Sequence, residues 1–172
     1  MILRDALPHD AEALAELGRA SFRAAFEHLY DPTDLAAFLG QVHAVDAVAD
    51  EIADPAIFHQ LAVDEETGAL TGYVKLKHPG GYPGHSDAAN PITLGQLYTA
   101  PGRTGEGIGA ALMEWALALA RAKGCDAVQL SVWSENYGAQ RFYHRYGFAK
   151  IADIDFYVGR HRDDEFLYEL RL

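Results

Sequence analysis

The chain has a single cysteine, Cys125, in 172 residues. No internal disulfide can hold the fold, and a reducing compartment suits such a chain. Metal-ligand spacing is missing too: the eight histidines are scattered, and there is no His-x-x-x-His or Cys-x-x-Cys pair, so no metal is expected. Positive charge is scarce, with 14 Lys and Arg against 25 Asp and Glu and a net charge of −11. That excess repels phosphate backbones and anionic lipid, so neither nucleic acid nor a membrane is an expected partner, whereas a cationic one is suited. No stretch approaches the roughly 20 apolar residues of a membrane span. The best candidate, Ile108 to Ala122, carries Glu114 and Arg121. The opening MILRDALPHD lacks the apolar core of a signal peptide. A cytoplasmic protein is expected.

What is present belongs to a globular fold: 49% hydrophobic and 23% charged residues. We read one domain over residues 1–172, with no linker, repeat or low-complexity segment. Met1–Arg4 is a short strand. Leu14, Leu17, Ser21, Phe22, Ala25, Phe26 and Leu29 recur at helical spacing. Asp31 and Pro32 then open a second helix as N-cap and first helical residue, and Val45–Ala53 is a third. His59–Asp64 and Leu70–His78 read as a hairpin. Pro79–Asn90 is too rich in Gly and Pro for either element. Ile92–Thr99 is a strand, and Ile108, Leu112, Trp115 and Leu119 mark a helix closed by Gly124. Ala127–Trp133 is a strand, and Ala139, Phe142, Tyr143 and Tyr146 mark a last helix. Phe148–Val158 and Glu165–Leu170 are strands around a Gly159–Asp164 turn. The order β, two or three helices, β-β-β, α, β, α, β-β implies a mixed α/β sheet of the α+β kind.

The densest chemical signal runs from Gln96 to Met113, where a strand enters a loop holding Gly105, Gly107 and Gly109 and the loop opens a helix. Glycines let a ligand approach the backbone, and the helix start favours an anion, most naturally a pyrophosphate. Each also weakens the helix start by about 1 kcal/mol relative to alanine, which argues for a use. Gly105, Gly107 and Ala110 also satisfy the dinucleotide fingerprint, with Glu135 as the ribose-binding acid. However, Ala100–Thr104 separate strand from glycine, and too little chain follows for a doubly wound domain. A second constellation spans Ser134–Phe148. Asn136 could simply cap the helix and Tyr143 could simply pack.

Together the two segments resemble the GNAT acetyltransferase superfamily. The loop is similar to its Gln/Arg-x-x-Gly-x-Gly/Ala pattern through Thr104, Gly107 and Gly109. The later segment is similar to its Asn-x-x-Ala-x-x-Phe-Tyr signature through Asn136, Ala139, Phe142 and Tyr143. A looser likeness to bacterial polyamine (spermidine/spermine) acetyltransferases rests on Gly72–Leu76, Leu130–Trp133, Phe156–Gly159 and the opening Phe22, Phe26, Leu29, Tyr30 and Asp34.

The resemblance implies a central, mostly antiparallel sheet of about seven strands flanked by about four to five helices. It also implies acetyl-CoA as acyl donor, CoA as product, and a small-molecule primary amine, conceivably a polyamine, as acceptor in a ternary complex. It leaves a homodimer open. Leu97, Tyr98 and Thr99 would pair with the pantetheine arm. Thr104, Gly105, Glu106, Gly107, Ile108, Gly109 and Ala110 would hold the pyrophosphate. Asn136 would bond the pantetheine beside Ala139, and Arg141 or Arg145 would meet the 3′-phosphate. Tyr143 would protonate the departing thiolate. The acceptor would be met by the aromatic face of Phe26 and Tyr30 and by Asp31 and Asp34, with the Pro79–Asn90 loop as a lid.

Two departures stand out. The loop position usually filled by Gln or Arg is Thr104, with Arg103 one residue early. The strand before the loop often carries a glutamate as base, and here Gly95 is near that place. The base is left open among Glu51, Tyr98 and a water chain, and a catalytically silent acyl-CoA sensor stays an alternative.

Overall fold

A computed structural model describes residues 1–172. The elements are β1 (Ile2–Asp5), α1 (Ala11–Phe26), α2 (Pro32–Val42), α3 (Val45–Ala53), β2 (Ile57–Val63), β3 (Leu70–Lys77), β4 (Pro91–Thr99), α4 (Ile108–Ala122), β5 (Ala127–Trp133), α5 (Tyr137–Arg145), β6 (Ala149–Val158) and β7 (His161–Arg171). The strands form one sheet in the order β1-β2-β3-β4-β5-β7-β6. Every pairing is antiparallel except β4 with β5. A doubly wound dinucleotide domain needs a parallel sheet, so that alternative falls. No helix is long and apolar enough to cross a membrane.

Alternation along the strands divides the core between the two faces. Ala62, Val74 and Leu76 meet Leu112, Met113 and Ala116 of α4 in the larger cluster. Leu61 and Tyr73 point the other way, against Leu14, Ala15 and Val48 of α1 and α3. Phe22, Leu35, Phe38 and Leu39 close over Val158 at the far end. Asp31 caps α2 as expected, accepting from the Thr33 amide at 2.8 Å.

Two boundaries differ from the sequence reading. α1 ends at Phe26, and Glu27–Leu29 form a 3₁₀ turn. The last turn is much tighter than Gly159–Asp164: β7 already pairs at His161, opposite Val158, with Arg162 opposite Tyr157 and Asp163 opposite Phe156. The run of charges reads as a turn, but it lies within the sheet. Arg162 meets Asp155 at 2.5 Å and Asp164 at 2.9 Å, and Asp163 is buried.

Candidate active site

The site begins with a split in the sheet. β4 and β5 pair only at their starts, through Pro91–Thr93 and Ala127–Gln129. Beyond Thr93 they part. The cause lies on the other side of β4, where Lys75 pairs with Gln96 but Leu76 pairs with Leu94, leaving Gly95 as an extra residue. Such a bulge bends and twists its strand, here away from β5. The outer half of β4 thus offers unpaired backbone groups that can take an extended ligand as an added strand.

The loop after β4 turns on Gly105 (φ +84°) and Gly107 (φ +80°), conformations that disfavour any residue with a side chain. Gly107 stands at the N-cap of α4 with no side-chain cap, and no acidic residue lies in the first turn. The first intrahelical bond is donated by the Ala111 amide to the Gly107 carbonyl at 3.0 Å, so the amides of Ile108, Gly109 and Ala110 are free. Gly72 on β3 lets this helix start sit close, since a Cβ there would lie 2.7 Å from Ile108. A helix N-terminus with free amides and no internal carboxylate suits a phosphate group.

From this cradle a cleft of about 630 Å³ runs through the split. Tyr143 of α5 enters it from the α4 side, its ring packed on Phe148 and Tyr168. Asn136 also lines it. Its side-chain oxygen caps α5 on the Ala139 amide at 3.2 Å, which leaves its amide nitrogen free for a ligand. Burial, then the nearby Glu165 charge, pushes the Tyr143 hydroxyl well above its usual range. Burial does the same to Tyr98, helped by Tyr143 and Glu165. Both phenols therefore stay protonated at neutral pH: they can donate a proton, not take one.

The opposite wall is aromatic and acidic. Phe26 meets Trp133 edge-on at 6.2 Å, and Phe22 stacks on Tyr30 at 6.0 Å. Behind them lie Asp163 and Glu165 of β7, only 8% and 7% exposed. Asp163 accepts from the Tyr30 hydroxyl at 2.5 Å and lies 3.0 Å from His161 Nε2. Glu165 Oε2 is buried with no partner. Burial first, then Asp163, raises the Glu165 carboxyl to about 8.

A family model described as "Acetyltransferase (GNAT) family" matches residues 12–148. The chain belongs to the GNAT family. It is 28% identical over 164 residues to an uncharacterised N-acetyltransferase of Lactobacillus delbrueckii, covering 95% of this chain and 92% of that one. An uncharacterised N-acetyltransferase of Mycobacterium tuberculosis is 28% identical over 158 residues, 92% of this chain and 95% of that one. Among solved structures, the PaiA N-acetyltransferase of Thermoplasma acidophilum in complex with coenzyme A shares the fold. Its TM-score is 0.80 at 23% identity, over 99% of this chain and 98% of that one. The protein is an N-acetyltransferase, and its acyl donor is acetyl-CoA.

Most residues named from the GNAT resemblance lie together in the cleft lining: Leu97, Tyr98, Thr99, Thr104, Gly105, Gly107, Ile108, Gly109, Ala110, Asn136, Ala139, Tyr143 and Arg145, with Phe26 and Tyr30 on the aromatic side. Four lie outside it. Glu106 holds Arg103 at 2.6 Å, and Arg103 also meets Asp64 at 3.2 Å. Arg141 is exposed. Asp31 caps α2, and Asp34 accepts from the Arg160 amide at 2.9 Å, tying α2 to the β6–β7 turn.

Of the candidate bases, Glu51 is paired with Lys75 at 2.6 Å and does not line the cleft, and Tyr98 keeps its proton. The Pro79–Asn90 loop is fastened down: Gly81 to Thr93 at 2.7 Å, Tyr82 to Gln129 at 3.0 Å, Ser86 to Glu169 at 2.5 Å. Little of it is free to act as a lid. The Asp163–Glu165 run reads as a solvated turn that could also face a cationic substrate, and the structure places Asp163 and Glu165 in the cleft lining. The alternation Asp163, Glu165, Leu167 is the signal that a strand began earlier, with both acids on one face.

Proposed function

We propose that this enzyme transfers the acetyl group of acetyl-CoA to the primary amine of a small cationic molecule, by direct attack in a ternary complex. The observation that carries this reading is the cleft through the sheet, with an anion cradle at the α4 start and an aromatic, acidic chamber on the α1–α2 side. The cradle amides would hold the pyrophosphate, the free edge of β4 would pair with the pantetheine, and Arg145 would meet the 3′-phosphate. The donor supplies an activated acetyl thioester between the two ends.

An alkyl ammonium with a pKa near ~10.4 is only about one part in 10³ neutral at pH 7, so the site must remove a proton before the nitrogen can attack. Tyr143, buried and protonated, would give its proton to the departing sulfur. A route through an acetyl-cysteine is disfavoured, because Cys125 is buried away from the cleft lining and burial raises its thiol. The aromatic wall and the two acids suit a cation, and the net charge of −11 would steer one in. Polyamines are the acceptors this favours first, and a cytoplasmic setting suits the lone thiol.

The test is free-thiol release with acetyl-CoA over a panel of amines at low and physiological salt. Spermidine and putrescine should react with higher kcat/KM than a monoamine of equal length, and lose severalfold as salt screens the charge over roughly 8–10 Å. CoA binding without thiol release for any amine would sink the transferase reading and leave an acyl-CoA sensor. Equal rates for monoamines, independent of salt, would remove polyamines.

A further inference from the structure

We propose that Glu165 is the general base of the acetyl transfer, taking the proton of the incoming ammonium on Oε2 while Asp163 supplies a fixed negative charge beside it. The inference rests on the acetyl-transfer reading above and names the group that reading lacks.

Position comes first. Glu165 pairs across the sheet with Trp133 of β5 and Ile154 of β6. Strand alternation sends its side chain to the face of Asp163, which Tyr30 fixes as the α1–α2 side. Tyr143 comes from the other face, yet it feels the Glu165 charge. The opening between β4 and β5 joins the two faces, so base and acid stand on opposite sides of the place where the amine and the thioester would meet.

Availability comes second. Oε2 is buried without a partner, a costly state for a polar atom unless something comes to it. The groups around it offer no cation. Asp163 stands on its own strand, Tyr98 on β4, Tyr143 on α5, Tyr30 ahead of α2 and Tyr82 in the β3–β4 loop. His161 is turned to Asp163 at 3.0 Å. The cations that line the cleft, Arg103 and Arg145, belong to the glycine loop and the end of α5. The positive charge that this carboxylate lacks is the one a cationic substrate brings.

Chemistry comes third. Against an ordinary carboxylate, proton transfer from an alkyl ammonium is unfavourable by about 10⁶. Against a carboxyl raised to about 8, the deficit falls to about 10²–10³. In the step, Glu165 takes one N–H proton and the freed amine forms the C–N bond as the C–S bond breaks. Tyr143 protonates the sulfur, its phenolate recovers the second proton shed by nitrogen, and Glu165 releases its proton to water.

The experiment compares wild type with Glu165→Gln, using spermidine and phenethylamine as acceptors from pH 6 to 10 and calorimetric titration with CoA. Wild-type kcat/KM should rise to an inflection near pH 8. In the variant that inflection should vanish and the rate at pH 8 should fall about 10²-fold or more, with CoA affinity unchanged. A variant within threefold of wild type that keeps the inflection overturns the proposal. If the wild type binds CoA but acetylates neither amine, the acetyl-transfer reading fails for them, and ¹³C titration of the Glu165 carboxyl still decides. A midpoint near 8 supports the proposal, and an ordinary glutamate midpoint overturns it.

Discussion

Replacing Glu165 by glutamine should change stability little near pH 5 and stabilise the protein increasingly as the pH rises. In the unfolded chain this carboxyl ionises at its ordinary 4.5, and in the fold at about 8. Between those values the folded state holds a proton that the unfolded state has lost. Stability is therefore full below about 4.5, falls as pH rises through the window, and levels above 8. The slope is about 1.4 kcal/mol per pH unit, so the full window amounts to about 5 kcal/mol. Side-chain relaxation and water entering from the cleft reduce this, and we expect roughly 2–4 kcal/mol.

For a chain of this length each kcal/mol moves the melting temperature by about 2–4 °C. Glutamine has the same shape and does not ionise. At pH 5 it should melt within a few degrees of wild type, or slightly below, because its amide inherits the unpartnered position. At pH 8.5 it should melt roughly 5–10 °C above wild type. The assay is thermal unfolding by circular dichroism of both proteins at both pH values, read as the difference between the two differences. An offset that does not change with pH would show that the carboxyl ionises normally in the fold, and would refute the reasoning.

Tyr143→Phe keeps the ring on Phe148 and Tyr168, so the melting temperature should move little. Loss of a proton donor should lower kcat by about 10²–10⁴, and a loss under threefold would make the tyrosine a packing residue only. Gly107→Glu should weaken CoA binding at least about 10²-fold in calorimetric titration, because two or more like charges would meet across a few ångströms. Gly107→Ala is the control: its Cβ would meet nothing within 4 Å, so it should cost only the about 1–2 kcal/mol of left-handed strain. Equal CoA affinity in the two variants would remove the anion from this loop.

The legibility of the sequence followed the range of each interaction. α4 and α5 were readable because a 3.6-residue period and a terminal glycine are local signals, and the glycine loop because positive φ is written in the residue type. The partial pairing of β4 with β5 was not readable. It depends on a bulge whose sign is one glycine, Gly95, and a bulge exists only relative to the neighbouring strand. Asp31 and Asp34 illustrate the converse. The cap role of Asp31 on the Thr33 amide is a local signal and competes with any acceptor role, but nothing local tells that the Arg160 amide, 126 residues away, already occupies Asp34. The burial of Asp163 and Glu165 was hidden for the same reason, since Tyr30, 133 residues away from Asp163, is what covers the strand.

The glutamate missing from β4 and the one found on β7 follow from one electrostatic argument. A side chain at Gly95 would start 3.2 Å from Lys75 Cε, and Lys75 already carries Glu51 on its ammonium. A carboxyl there would lie beside a cation, which favours the charged form and makes a weaker base. Position 165 has the opposite surroundings. Burial disfavours its charge, and its charged neighbour, Asp163, disfavours it further. A carboxylate that must take a proton from an ammonium works better where its own charge is unwelcome, because the same desolvation that costs stability narrows the gap between the two acids. The location of the proposed base is thus set less by which strand lies nearest the thioester than by which position keeps lysine and arginine at a distance.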